Sequence, residues 1–421
     1  MGLGGRLDAL DSGAGVNDCR FVPAGATGSA TLYLREYEKC QCGLLTYEQA
    51  NALSQHYNHY LQIQPAWQAG AWELTARQHV GAIVLNDLRV IIEPKVNLQN
   101  LFYMLTFAHD LADFRREAVH LATGDDLFEF IVVIFLRQVE RLVQRGIYRT
   151  YVTAEENQSF LRGRLMLADH LRRNALHVQR FYQRTNEFTA DVLENCILRY
   201  TLGLLSRLEY RDSTLRPQIH RVASAFAEVS LTPIAPSDCD RVVYTRLNAP
   251  YRTRVNLARL LIRHLSLEGR AGSTEFASYL LDMNKVFELF VARFLSDHFA
   301  NNTSIQVEIQ PDIWLDADHQ EKGIPDIVLR QDGRRYLVLD TKYKRFHVKP
   351  DKEDRNQMVT YCHTLGLSRG ILIYADDHAI NYGASFNNIV LDAQSLSLHG
   401  NLNEFQARCR QFAQQFEDRI Q

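Results

Sequence analysis

Four apolar residues, Tyr336-Leu337-Val338-Leu339, run directly into Asp340. A carboxylate at the end of a buried strand is costly unless something there holds it, so this segment constrains the fold more than any other. Before it stands Gly323-Ile324-Pro325-Asp326-Ile327-Val328-Leu329-Arg330, and Gln331-Asp332-Gly333 separates the two apolar runs. Asp-Gly between two such runs predicts a tight hairpin. The hairpin returns Asp326, at the start of one strand, to Asp340 at the end of the other. Asp340 and Lys342 are two apart and share a strand face.

That arrangement has a chemical reading. Hard oxygen ligands suit Mg2+, with Mn2+ as the alternative, and such an ion takes few carboxylates and keeps several waters. It can activate a water and offset charge on a phosphodiester. Asp326 and Asp340 are the expected metal ligands, with the Thr341 carbonyl between the two motif side chains completing the shell. Lys342 supplies a cation beside the attacking water or the developing phosphorane charge. Taken singly, Asp326 also reads as a turn residue at a strand start and Lys342 as a solvated edge lysine.

The surroundings favour the joint reading. Pro325-Asp326 followed fourteen residues later by Asp340-Thr341-Lys342 is the PD-(D/E)xK pattern of metal-dependent nucleases. Residues 283–299 form an amphipathic helix carrying Glu288, where such nucleases often keep a further acid. Strands are expected at 304–309, 326–330, 335–341 and 370–374, with a helix at 355–365 before the last. Gln357 and Tyr361 on that helix are four apart, share a face and resemble the QxxxY element of RecB-type nucleases. Asp326, Asp340, Lys342, Gln357 and Glu288 are therefore the candidate catalytic residues.

Upstream, residues 47–61 read as a helix capped by Thr46. Residues 80–85 and 88–92 read as a hairpin turning at Asn86-Asp87, and 98–111 as a helix. From 125 to about 267 the pattern is mostly helical, with helices at 127–144 and 191–208. The expected organisation is α+β and multidomain. Residues 1–30 are a flexible N-terminal segment, 31–115 a mixed α/β domain, 116–272 a mainly helical middle region, and 273–421 the nuclease domain, of restriction-endonuclease-like α/β type.

The whole chain further resembles the McrC family, the nuclease subunit of McrBC-type restriction systems. The resemblance rests on His79-Val-Gly-Ala-Ile83, Ile92-Glu-Pro-Lys-Val96, Asn100-Leu-Phe-Tyr-Met-Leu105, Phe160-Leu-Arg-Gly-Arg164 and Glu187-Phe-Thr-Ala-Asp191, and spans roughly residues 36–374. It implies a partner, an McrB-like AAA+ GTPase ring on which the N-terminal part docks and whose GTP hydrolysis it stimulates. It also implies double-stranded DNA, commonly with methylated cytosine, as the substrate. The chain has no GxxxxGK[ST] stretch, so a GTP site is not expected in it.

Net charge is −2, which gives no support for tight autonomous DNA binding and suits borrowed affinity. The longest strongly apolar run, 130–136, is far too short to span a bilayer. Seven cysteines without framework spacing point to a reducing cytoplasm. Cys40, Cys42, His56 and His59 are too tightly and irregularly spaced for the usual zinc site. Cys362 and Cys409 lack iron–sulfur spacing. A stand-alone RecB-like repair nuclease and a regulatory subunit with a vestigial site are the competing functions.

Overall fold

The structure is a computed structural model that describes residues 17–23, 29–68, 70–85, 88–111, 114, 127–177, 179–208, 210–268, 276–302, 304–316 and 318–418. Two compact units divide the chain, Met1–Val96 with Leu267–Lys285, and Asn97–Ser266 with Val286–Gln421. Among the described residues no helix is long and apolar enough to cross a membrane.

In the first unit, helix Tyr47–Tyr57 opens with a capping box, Thr46 and Gln49 each bonding the other's backbone N–H. It stops short of the expected end because Leu61 already belongs to strand Leu61–Pro65. That strand pairs with Trp72–Ala76, which pairs with Lys39–Cys42. In a second sheet, neighbouring strands run Phe276–Asp282, His79–Leu85, Leu88–Glu93, Ala30–Arg35 and Arg20–Val22. The expected hairpin is there as His79–Leu85 against Leu88–Glu93; its turn residues Asn86 and Asp87 lie outside the described residues, as does most of 1–30. Gly81 has φ +140°, and a Cβ there would sit 1.9 Å from the Tyr279 carbonyl oxygen, so the sheet closes only over glycine. The core joins Leu32, Leu53, Leu74, Ile83, Val90 and Ile92.

One expectation needs correction in this unit. The cysteine spacing gave no reason to expect a disulfide, yet Cys19 and Cys40 are bonded, with Cα atoms 5.3 Å apart. The pairing is spatial: Asn17 and Asp18 lie beside Cys40 and Gln41 in a parallel ladder, which brings Cys19 to the same strand.

The second unit holds helices Leu98–Ala108, Leu127–Arg145, Leu193–Leu205, Leu215–Ser224 and Tyr251–His264. Asn100 anchors the first of these by donating to the Leu398 and Gly400 carbonyls. Residues 116–272, expected to be mainly helical, also contain an antiparallel sheet, Thr150–Gln158 against Phe181–Thr189 with Arg164–Leu165 at its edge. Its ladder is polar, with Arg184 on Glu155 and Thr185 on Glu156. No apolar alternation marks it in the sequence.

The unit's other sheet carries the motif. Its order is Ile305–Ile309, Ile327–Gln331, Arg334–Lys342, Arg369–Tyr374, Ile389–Ser395, Tyr382–Phe386. The first three are antiparallel, the third to fifth parallel, and the last antiparallel. Asp332 (φ 48°) and Gly333 (φ 82°) make the hairpin turn, both left-handed as a two-residue primed turn requires. The parallel step needs a crossover, supplied by helix Lys352–Leu365, which ends at left-handed Gly366. Helix and strand lie close: a Cβ on Gly370 would come within 2.8 Å of Met358 and Cys362. Val328, Val338, Leu372, Met358 and Cys362 are fully buried between them.

Candidate active site

Asp326 immediately precedes its strand, and Ile327 pairs with Leu339. The next residues on each side are therefore neighbours. The Thr341 backbone N–H and hydroxyl both donate to Asp326 Oδ2, at 2.7 and 2.6 Å. Asp340 is 3% exposed, and Lys342 Nζ lies 2.6 Å from its Oδ2. The hairpin thus brings together the three residues the sequence singled out.

The crossover helix supplies the other wall. Lys342 donates to Gln357 Oε1 at 3.1 Å, and the Gln357 amide donates to the Tyr361 hydroxyl at 3.1 Å. Tyr361 in turn donates to the Ile324 carbonyl at 3.3 Å, tying the helix to the loop before Asp326. Glu288, on helix Met283–His298, is half-buried and accepts from Gln310. Its charge is felt at Asp340, so it faces the same cluster.

Three further residues belong to this cluster and escaped the sequence reading. Asp354 is 7% exposed; its Oδ2 takes the Lys344 ammonium at 2.8 Å and the Tyr374 hydroxyl at 3.1 Å, and its Oδ1 lies 3.7 Å from Lys342. In the sequence Asp354 looks like one of the acids that favour a first helical turn. The available signal was its position three before Gln357, which puts both on one face.

The electrostatics follow from burial. Asp326 is pushed up to about 6, first by desolvation and then by the Asp340 charge, against the Thr341 hydrogen bonds. Asp340 is also raised by burial, with Lys342 opposing and Asp354 and Glu288 adding. Burial works to lower Lys342, but the charge and close contact of Asp340, helped by Asp354 and Asp326, hold it above the ordinary lysine value. Lys342 is therefore a cation here.

The donor set bears on the expected metal. Among the described residues, no three His, Cys, Asp or Glu side chains are gathered as a ready-made cage. The two converging carboxylates, Asp326 and Asp340, suit Mg2+, which binds through one or two carboxylates and keeps its waters. Asp340 Oδ2 supports the fit: this buried carboxylate oxygen already holds a positive charge, the Lys342 ammonium at 2.6 Å, so the position suits a cation.

Two residues weighed for zinc, and the polar Arg162 and Asp376, have structural partners. Cys40 is in the disulfide, and the His59 ring packs against Tyr60 and His79. Arg162 pairs with Glu156 and Glu187. Asp376 closes its strand by accepting from the Phe346 and His378 backbone.

Comparison with known proteins adds three observations. A family described as McrBC 5-methylcytosine restriction system component matches residues 74–375. The type IV methyl-directed restriction enzyme EcoKMcrBC of Escherichia coli K12 is 19% identical over 259 residues, which is 60% of this chain and 74% of that protein. A solved McrC, bound to McrB AAA+ hexamers in a tetradecameric assembly from Thermococcus gammatolerans, superposes with a TM-score of 0.57 at 18% identity, covering 90% of this chain and 98% of that one. This last likeness is one of fold, a mixed α+β architecture with several sheets.

Proposed function

This chain belongs to the family of McrBC 5-methylcytosine restriction system components, and on that premise we propose that it is the nuclease subunit of a GTP-driven restriction complex. In this reading it is a Mg2+-dependent endonuclease that cuts double-stranded DNA carrying methylated cytosine. An McrB-like AAA+ GTPase ring delivers the DNA, and the chain stimulates that ring's GTP hydrolysis. The observation that carries the proposal is the convergence of Asp326, Asp340 and Lys342, a half-buried and a buried carboxylate beside an ammonium, at one end of a hairpin.

A divalent cation held by Asp326, Asp340 and the Thr341 carbonyl would activate water and offset phosphodiester charge. The chain's own residues do the rest. Thr341 fixes the orientation of Asp326 through two hydrogen bonds to one oxygen. Lys342, held above the ordinary lysine value against burial by the Asp340 charge, acts as a cation. It donates, either to the attacking water or to a phosphate oxygen gaining charge. Gln357 restrains that ammonium and is itself restrained by Tyr361. Such second-layer support keeps a site within its productive geometry.

The sequence has no GxxxxGK[ST] stretch, which suits a motor supplied by the partner, and the net charge of −2 fits a subunit that borrows its DNA affinity. The test mixes the purified chain with an McrB-like protein, GTP, Mg2+ and methylated or unmodified DNA. Cleavage is expected only with all components and only of methylated DNA. Cleavage by this chain alone, indifferent to GTP, would instead favour a stand-alone RecB-like repair nuclease. Stimulated GTP hydrolysis without cleavage would favour a regulatory subunit with a vestigial site.

A further inference from the structure

Three oxygens surround the Lys342 ammonium: Asp340 Oδ2 at 2.6 Å, Gln357 Oε1 at 3.1 Å and Asp354 Oδ1 at 3.7 Å. The nearest of these is a carboxylate that the reading above assigns to a metal ion. A lysine and a divalent cation compete for that carboxylate, since both are positive and both approach it closely. Binding of the ion therefore has a cost unless the ammonium has somewhere else to go.

Asp354 is built to receive it. It sits buried in the first turn of helix Lys352–Leu365, three residues before Gln357. Its Oδ2 is held by Lys344 and by the Tyr374 hydroxyl, and its Oδ1 is the oxygen turned toward Lys342. Lys344 is itself braced by Asp351 at 2.6 Å. Asp354 is thus fixed in place by contacts that leave its second oxygen facing the ammonium. A small rotation about the lysine stem moves the charge from Asp340 toward the Asp354–Gln357 face.

We infer that Asp354 is a positioning residue for Lys342, the acceptor that takes the ammonium when Asp340 is committed to a metal ion. The inference rests on the reading of Asp340 as a metal ligand. Asp354 keeps the cation beside the reacting phosphate while removing it from the position the metal needs. Its effect on metal affinity therefore passes through Lys342.

Calorimetry of Mn2+ binding to the full chain tests this in four forms: unsubstituted, Asp354→Asn, Lys342→Met and the double variant. Asp354→Asn should weaken Mn2+ binding about tenfold where Lys342 is present, the scale seen when a metal ligand's outer partner is lost. In the Lys342→Met background it should change nothing, because no ammonium competes. Asp354→Glu should restore binding, and Asp354→Ser offers a second way to remove the charge should the amide variant fail to fold. Equal weakening in both backgrounds would make Asp354 a ligand or a plain structural support and overturn the inference. So would no weakening in either. If the unsubstituted chain binds no Mn2+, or Asp340→Asn leaves binding intact, the metal-centre reading fails, a pattern distinct from either of these.

Discussion

Thr341 grips Asp326 by one carboxylate oxygen, using its backbone N–H and its hydroxyl at once. The two residues are fifteen apart in sequence and come together only because the hairpin is in register. Asp326 is thus oriented by the strand that carries Asp340, so the two carboxylates move as one unit. This coupling makes the site sensitive to changes that remove no proposed ligand side chain.

Thr341→Val keeps the shape and the backbone donor but deletes the hydroxyl. The Thr341 bonds hold Asp326 down against burial, so the Asp326 titration, at about 6 in the metal-free chain, should move higher in the variant. Carbon-13 NMR of the labelled carboxyl would follow it. Divalent-ion affinity should drop about tenfold. An unmoved titration would mean that the hydroxyl bond does not support the charged form.

Asp340→Ala should reduce DNA cleavage by at least about a hundredfold and leave partner binding and GTPase stimulation as they were. Supercoiled-plasmid cleavage with the assembled complex measures the first, and GTP turnover the second. Retained Mg2+-dependent cutting would remove Asp340 from the site.

Acid should destabilise the chain through His109. This imidazole is fully buried and held well below its ordinary value, first by desolvation and then by His264, Arg263, Arg259 and Arg293. The unfolded state therefore binds the extra proton as pH falls below about 6.5, so the stability present at neutral pH is lost in that window. Asp326 acts in the opposite sense in the metal-free chain. Raised to about 6, it stabilises the fold at low pH and ceases to do so as pH rises through that value. Urea titrations at pH 7.5 and pH 5.5 should show a smaller pH effect for His109→Gln than for the unsubstituted chain, and a larger loss on acidification for Asp326→Asn.

Gly81→Ala should cost at least about 2 kcal/mol of stability. Its added carbon would collide with the Tyr279 carbonyl, and its φ of +140° strains any L side chain. Thermal melting monitored by circular dichroism would show the loss. An unchanged transition would mean the two strands can separate without penalty.

Much of the site was legible because its signals are local. Asp-Gly fixes a primed turn, the apolar run ending at Asp340 fixes the strand face, and the spacing of Gln357 and Tyr361 fixes a shared helix face. Asp354 and Lys344 were not legible, since an acid in a first helical turn and a lysine past a strand end each have an ordinary surface explanation. Only the folded crossover turns them toward Lys342. The strands Thr150–Gln158 and Phe181–Thr189 were hidden for another reason. Apart from the Tyr151–Phe188 pair, nearly every cross-strand pair includes a charged, amide or hydroxyl side chain, so burial leaves no clear period in the sequence. The Cys19–Cys40 bond depends on a parallel pairing that no local pattern announces.

The site has one more consequence, which lies in its connectivity. Apart from Glu288, Gln310 and Tyr374, every residue described in the cluster falls within 324–361, one hairpin and the helix that follows it. Contacts this close in sequence close short loops and form early and cheaply. On the proposed function, the cluster can therefore be complete before any encounter with DNA. Control exerted from elsewhere in the chain would then act as a gatekeeper, deciding when a phosphodiester arrives at machinery already assembled.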